Sequence, residues 1–199
     1  MKILSAELIR QVDQYTIKNE PIQSIDLMER ASRTFVEWFE RNFDKEKKLF
    51  IFCGTGNNGG DGLAIARMLS IRKWKVTTIS VNKSTKKSKD FTINYLKLAE
   101  VRIVENVEKK EDLNFDIKEE DIIIDAIFGS GLTREVRGIQ AETIKYINNS
   151  GATIVAVDVP SGLFIDTISP KKTIIKADHV LTFQLPKLAF LLPENSPFD

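Results

Sequence analysis

The chain has 199 residues, which is enough for one domain with a buried core. Hydrophobic residues make up 42% of it and charged residues 29%, as in ordinary globular proteins. With 29 basic and 28 acidic residues the net charge is +1, so we expect no nucleic-acid or membrane partner held by global attraction. The single cysteine, Cys53, excludes an internal disulfide and is typical of a reducing compartment. Because no apolar run has the length of a membrane span, we expect a cytoplasmic protein.

The first 43 residues predict two helices. Ser5 is a suitable N-cap for a helix over 5–18, in which three apolar residues recur on one face: Leu8, Val12 and Tyr15. Ser24 is predicted to cap the second helix. Its apolar residues keep helical spacing, which indicates core packing: Leu27, Met28, Ala31, Phe35, Trp38 and Phe39.

Strands and helices alternate over the rest of the chain. Continuous apolar runs at 50–52, 122–124 and 154–157 predict strands buried on both faces. Weaker patterns predict strands at 75–81, 101–105, 179–183 and 188–192, and helices at 90–99 and 138–149. We therefore predict an α/β fold, a three-layer doubly wound (Rossmann-like) and mostly parallel sheet over 48–192, within a single domain spanning 1–199.

Each of the three apolar runs ends in a loop rich in glycine and acidic residues. These loops cover 54–62, 125–131 and 158–162. Ligands of doubly wound sheets bind at the carboxyl ends of the strands. If the three strands are parallel, the loops converge on one rim, and the sequence predicts a single ligand site there.

The first loop matches the G-x-G-x-x-G pattern of dinucleotide-binding dehydrogenases, but two features argue against that class. The second predicted strand ends in Val81-Asn82-Lys83 and lacks the acid that would bind a ribose. Asp61, placed at the predicted helix start, would repel a pyrophosphate. The basic segment 82–89 is interpreted as a mobile loop, with phosphate contact as the alternative.

The predicted rim is rich in oxygen ligands, which hard cations prefer. They are the carboxylates of Asp61, Asp125 and Asp158, the amides of Asn57 and Asn58, and the hydroxyls of Thr55, Ser130 and Ser161. Each has a purely structural alternative: Asp61 as a helix cap, for example, or Ser161 as a turn residue. Three acidic strand ends together favour a site.

The stretch 54–62, Gly-Thr-Gly-Asn-Asn-Gly-Gly-Asp-Gly, resembles the signature of the NAD(P)H-hydrate epimerase family, the YjeF N-terminal domain. Stretches 27–31, 125–132, 157–162 and 182–187 support the resemblance in the expected order. It implies interconversion of the R and S epimers of hydrated NADH and NADPH (NADHX and NADPHX), a cofactor-repair reaction, and one bound potassium ion per subunit.

The resemblance also implies the residues of the site. Potassium would be held by Asn58, Asp125 and Ser161. The substrate would contact Asn57, Asn58, Gly59, Gly60, Asp61, Gly129, Ser130, Gly131, Leu132, Thr133, Arg134, Glu135 and Asp158.

Inversion at C6 of the hydrated ring requires an acid for the leaving oxygen and a base for the incoming water, and a carboxylate can serve in either role. Our hypothesis is that Asp125 or Asp158 transfers the proton, while backbone N–H groups with Thr133 or Arg134 anchor the diphosphate. The alternative function is a non-catalytic nucleotide-binding, dimerisation or scaffold module on the same fold.

Three further expectations concern partners and extent. The aromatic-rich N-terminal helices suggest a homodimer. Since there is no room for a fused dehydratase domain, repair would need a separate NAD(P)H-hydrate dehydratase. The resemblance also leads us to expect a final strand after residue 199, and hence a truncated or longer chain.

Overall fold

The computed structural model describes residues 2–81, 86–169 and 173–195. Its strands are β1 Lys48–Cys53, β2 Lys75–Val81, β3 Val104–Val107, β4 Ile122–Ala126, β5 Thr153–Val157 and β6 His179–Leu181. They form one sheet in the order β3-β2-β1-β4-β5-β6, and every neighbouring pair is parallel. The doubly wound prediction is therefore confirmed, with the strand order reversing between β1 and β4.

Five α-helices accompany the sheet: α1 Ala6–Asn19, α2 Ser24–Asn42, α3 Asn57–Ile71, α4 Lys89–Ala99 and α5 Ile139–Asn148. One hydrophobic cluster joins α2, α3 and α4 to one face of the sheet, and a second joins α5 to the other. The residues of β1 after Lys48 and all residues of β4 are buried, as expected for central strands covered on both faces.

The aromatic stripe of α2 packs into the core as predicted. Phe35 and Phe39 are fully buried, and their rings stack with centroids 6.1 Å apart. The predicted cap at Ser24 is wrong. Gln23 is the N-cap, whereas Ser24 begins the helix and its hydroxyl donates a 2.5 Å hydrogen bond to Asp90 Oδ2 on α4.

Helix α1 has the predicted cap, but the apolar face predicted from its sequence points to solvent and not to the core. Ser5 Oγ accepts a hydrogen bond from the Leu8 N–H at 3.3 Å. The predicted apolar residues Leu8, Val12 and Tyr15 are 45%, 39% and 69% exposed. The contact with the domain is made instead by Ile9, which is buried against Val159 and Ile165. A single buried residue leaves little periodic signal in a sequence.

Three further boundaries differ from the predictions. Helix α3 begins at Asn57, so most of the predicted glycine loop is its first turns. Strand β3 begins at Val104 rather than at 101, because the N–H groups of Val101 and Arg102 donate to the Leu98 carbonyl oxygen in the turn that ends α4. The predicted strand at 188–192 is a 3₁₀ helix, Leu188–Leu191, in which Ala189 is the buried residue.

The remaining predicted elements were confirmed within a few residues. Strand β2 has the predicted bounds, and α4, α5 and β4 to β6 differ from them by one or two residues. Of the basic segment 82–89, residues 82–85 lie outside the described part of the chain, as does the C-terminal segment 196–199. Within the described residues, no helix combines the length and the apolar character needed to cross a bilayer.

Candidate functional site

A cleft of about 1680 Å³ opens at the carboxyl edge of the sheet. Its walls come from the loops after β1, β4, β5 and β6, and residues of α1 and α2 close one side. Most of the predicted substrate residues line it: Asn57, Asn58, Asp61, Gly129, Ser130, Gly131, Leu132, Thr133, Arg134, Glu135 and Asp158. The predicted convergence of the three loops is therefore observed.

Gly59 and Gly60 do not line the cleft; they pack against protein. A Cβ at Gly59 would lie 1.8 Å from the Gly54 carbonyl oxygen, and one at Gly60 would lie 2.9 Å from Met28 Sδ. Gly60 also accepts a hydrogen bond from Asn94 Nδ2 through its carbonyl oxygen, at 3.3 Å. These two glycines let α3 approach β1 and α2 closely.

Asp125 and Ser161 form a buried pair that joins the loops after β4 and β5. Ser161 Oγ donates to Asp125 Oδ1 at 2.6 Å, and the Ser161 N–H donates to Oδ2 at 2.8 Å. Both residues are fully buried. Burial raises the pKa of Asp125 to about 6, although the hydrogen bonds from Ser161 and Ile127 act in the opposite direction.

Asn58 lies near this pair, across Gly129. The Asn58 side chain is buried against Gly129, where an added Cβ would lie 3.1 Å from its Oδ1. The neighbouring Phe128 N–H donates to Ser161 Oγ at 2.8 Å. Asn58 Nδ2 has no hydrogen-bond partner in the described part of the chain. The three predicted potassium ligands thus gather around one short loop.

The chemistry of this donor set fits a potassium ion. It contains one carboxylate, one amide oxygen and one hydroxyl, and hard cations take such oxygens. Rotating the amide of Asn58 would exchange its oxygen with the nitrogen that lacks a partner. Among the described residues, no three acidic, histidine or cysteine side chains cluster as they would for a transition metal.

Asp158 lines the cleft and faces a buried lysine. Its backbone has a positive φ of 66°, which turns the chain sharply after β5. Lys187 Nζ lies 3.1 Å from Asp158 Oδ1, and the Lys187 side chain is 1% exposed. The N–H groups of Phe183 and Ser130 donate to the carboxylate, each at 3.3 Å. These contacts fix the position of the Asp158 carboxylate at the wall of the cleft.

Asp61 and Asp13 lie on the acidic side of the same cleft. Burial, reinforced by the charges of Asp158 and Asp13, raises the pKa of Asp61 well above its usual range. Burial also raises the pKa of Asp13, which accepts a hydrogen bond from Gln184 Nε2. Asp61 is the fifth residue of α3, and the N-cap is Gly56. The sequence suggested that Asp61 lies at the start of the helix or caps it. Neither position is observed.

Two features of the cleft suit an anionic ligand. No side chain of the described residues caps the N-terminus of α3, so its first N–H groups are free to bind an anion. Thr133 and Arg134 lie exposed on the loop after β4. Within the described residues Arg134 has no ion pair, whereas Arg137 pairs with Glu135 at 3.3 Å.

Three residues of the cleft had no role predicted from the sequence: Asp13, Gln184 and Lys187. Lys187 ends the stretch 182–187 that contributed to the family resemblance, which was the available signal. Asp13 and Gln184 belong to no motif. They reach the cleft because α1 packs against the loop after β6, a contact between residues 171 positions apart.

Comparison with known proteins agrees with this geometry. The family model described as YjeF-related protein N-terminus matches residues 24–189. A protein of Limosilactobacillus fermentum named NAD(P)H-hydrate epimerase is 35% identical, with 98% of this chain and 91% of that protein covered. A protein of the same name from Oenococcus oeni is 37% identical over the same shares.

Two other matches are a longer, bifunctional protein and a solved structure. A Dictyoglomus turgidum protein named bifunctional NAD(P)H-hydrate repair enzyme Nnr is 35% identical, with 94% of this chain and 37% of that protein covered. The crystal structure of yeast YNL200c superposes with a TM-score of 0.78 at 26% identity, covering 98% of this chain and 86% of that one. From the residues matched and the shared fold, the chain belongs to the family of YjeF-related protein N-termini.

Proposed function

We propose that this protein is an NAD(P)H-hydrate epimerase, an isomerase that interconverts the R and S forms of NADHX and NADPHX. The observation that carries the proposal is the cleft, which brings Asp61, Asp158 and the glycine-rich loops together in a chain whose relatives bear that name. Intact acidic and amide side chains favour an enzyme over a scaffold of the same fold.

The reaction needs proton transfer at one carbon. The ring nitrogen of the hydrated nicotinamide assists loss of the C6 hydroxyl, and water then adds to the opposite face. Asp158 is better placed than Asp125 for proton transfer, because Asp158 lines the cleft whereas Asp125 is buried under Ser161. Asp125 is then a residue that holds the floor of the site in place.

A potassium ion would be held by Asn58, Asp125 and Ser161, whose oxygens surround the loop at Phe128 and Gly129. When bound, the ion supplies a fixed positive charge beside the reacting ring. The buried side chains themselves set the position of the loop after β4, and Ser161 couples it to the loop after β5.

The diphosphate of the substrate would bind at the N–H groups of Asn57 and Asn58 and at Thr133 or Arg134. Asn57 and Asn58 are the first residues of α3 and line the cleft. Thr133 and Arg134 lie on the exposed rim of the cleft. This places the phosphates away from Asp61 and Asp158, where their charge would be repelled.

Three partner assignments accompany this function. The bifunctional relatives are named as repair enzymes for the same hydrate, which supports a functional link to a dehydratase supplied by another chain or domain. A homodimer remains our proposal, as does a cytoplasmic location, for which the lone and buried Cys53 is the support. We propose no nucleic-acid partner.

The test is epimer interconversion, followed by proton NMR or chiral chromatography on one purified epimer of NADHX in potassium buffer. We expect the protein to accelerate the approach to equilibrium, Asp158→Asn to abolish the acceleration, and the exposed Asp116→Asn to retain it. A folded protein that binds the substrate without acceleration would support the scaffold function instead.

A further inference from the structure

Two of the carboxyl groups that line the cleft, Asp61 and Asp158, have opposite electrostatic surroundings. Asp158 faces the Lys187 ammonium at 3.1 Å and accepts two backbone hydrogen bonds. No lysine or arginine of the described residues forms an ion pair with Asp61, and only its hydrogen bond with Ser32 acts against the raised pKa. The charged groups that act on Asp61 are all acidic: Asp158, Asp13 and Asp90.

These surroundings act differently on the two carboxyl groups. An ammonium in contact stabilises a carboxylate, whereas neighbouring carboxylates disfavour one. Asp61 is also partly buried, and burial is the largest cause of its raised pKa. Burial and the neighbouring carboxylates thus favour the neutral form of Asp61, which is the form that can donate a proton. Pairs of carboxyl groups whose surroundings separate their proton affinities are a common arrangement of acid and base in enzymes.

We propose that Asp61 is a catalytic residue, the acid that protonates the leaving hydroxyl, and that Asp158 is the base on the opposite face of the ring. This assignment rests on the proposed function. In the forward step the Asp61 proton moves to the C6 hydroxyl oxygen, the C6–O bond breaks, and the lone pair of the ring nitrogen forms a C=N double bond. Water departs, leaving an iminium and the Asp61 carboxylate.

The second step restores the substrate with inverted configuration. A water molecule on the other face forms a new C–O bond at C6 while the C=N electrons return to nitrogen. Asp158 takes the proton that this water loses. The protein is left with Asp158 protonated and Asp61 ionised, which is the form required to convert the other epimer back. Each protonation form therefore acts on one epimer, and the burial of Asp61 favours the form in which Asp61 is neutral.

The test follows oxygen exchange and inversion separately, with oxygen-18 at the C6 hydroxyl of one purified NADHX epimer. In Asp61→Asn, we expect inversion to slow by roughly 100-fold or more, the usual loss for a general acid, while NADPH binding by calorimetry is unchanged. In Asp158→Asn, the remaining acid still releases water to the same face, so loss of oxygen-18 should continue when inversion has stopped. Asp61→Glu should restore part of the inversion.

Two results would overturn the assignment. Asp61→Asn with inversion within about threefold of wild type would exclude Asp61 as the acid. If Asp158→Asn loses oxygen-18 exchange and inversion at C6 to the same extent, Asp61 and Asp158 do not act on opposite faces of the ring. If the wild-type protein itself fails to accelerate inversion, the proposed function fails and the assignment with it. The exposed Asp116→Asn controls for the chemistry of the substitution.

Discussion

Ser161 holds the Asp125 carboxylate with two groups at once, its hydroxyl at 2.6 Å from Oδ1 and its backbone N–H at 2.8 Å from Oδ2. The bond from Phe128 N–H to Ser161 Oγ extends this contact to the loop after β4. Two loops that are remote in sequence thus meet at one serine beneath the cleft. The stability of the site floor should depend on that hydroxyl.

Ser161→Ala should lower the free energy of unfolding by about 2 kcal/mol, because it removes a hydrogen bond to a buried acidic group and leaves the Phe128 N–H without its acceptor. Urea titration measures the change. The matched control is Ser70→Ala, at a serine that is 8% exposed and whose hydroxyl has no partner in the described chain. An equal cost at both positions would contradict the role given to Ser161.

Potassium should raise the melting temperature more than sodium at equal ionic strength, because the ion binds only the folded site. At 100 times the dissociation constant one site contributes about 2.7 kcal/mol. For a chain of this size that corresponds to roughly 5–10 °C. Differential scanning calorimetry of wild type, Asn58→Ala and Ser130→Ala should show the rise only in the first and third. A rise that Asn58→Ala preserves would count against the proposed ligands.

Lys187→Met should destabilise the protein by about 3 kcal/mol, because it leaves Asp158 without its partner in a site where the lysine is 1% exposed. The double variant with Asp158→Asn should lose less than the sum of the two single losses. The exposed pair of Lys75 and Glu46, 2.8 Å apart, is the control, and Lys75→Met should cost less than about 1 kcal/mol. If the stability losses of Lys187→Met and Asp158→Asn simply add in the double variant, the two side chains do not interact directly.

Gly59→Ala should prevent stable folding or cost more than about 4 kcal/mol, because its Cβ would overlap the Gly54 carbonyl oxygen at 1.8 Å. Gly56 offers a close control. A Cβ there meets nothing within 4 Å, and the backbone is extended with φ −89°. Gly56→Ala should therefore remain within about 1 kcal/mol of wild type in the same denaturation experiment.

The free energy of unfolding should fall as pH rises, and the part of this fall that is due to Asp61 should be absent in Asp61→Asn. Because the pKa of Asp61 is raised on folding, the folded protein keeps a proton that the unfolded chain releases once pH exceeds its ordinary value of 3.8. The stabilising contribution is thus complete below that pH and is lost progressively above it. Urea unfolding from pH 4 to 8 should show wild type losing stability relative to Asp61→Asn. A constant difference would contradict a raised pKa.

The local sequence pattern was enough to predict the architecture and the position of most of the cleft. Buried runs such as Ile122–Ala126 read as strands because both of their faces are covered, and the glycine-rich segment at 54–62 marked the ligand edge. These features depend on near neighbours in the chain. The family signature added the site residues, and eleven of the thirteen assigned to the substrate line the cleft.

Other features were beyond local pattern because they arise where distant segments meet. The outward apolar face of α1, the beginning of α3 at Asn57 and the 3₁₀ helix at Leu188–Leu191 depend on what each segment packs against.

The sequence by itself therefore determined the class of fold, the edge that holds the site and the family. Only the tertiary structure decided the electrostatics of the site. Asp61 follows a glycine-rich stretch and Asp158 an apolar strand, and neither pattern indicates which charged groups lie near the side chain. The chain returns after β6 and buries Lys187 beside Asp158, while α1 and α4 bring Asp13 and Asp90 towards Asp61. Proton affinity depends on neighbours in space, and those are set by packing.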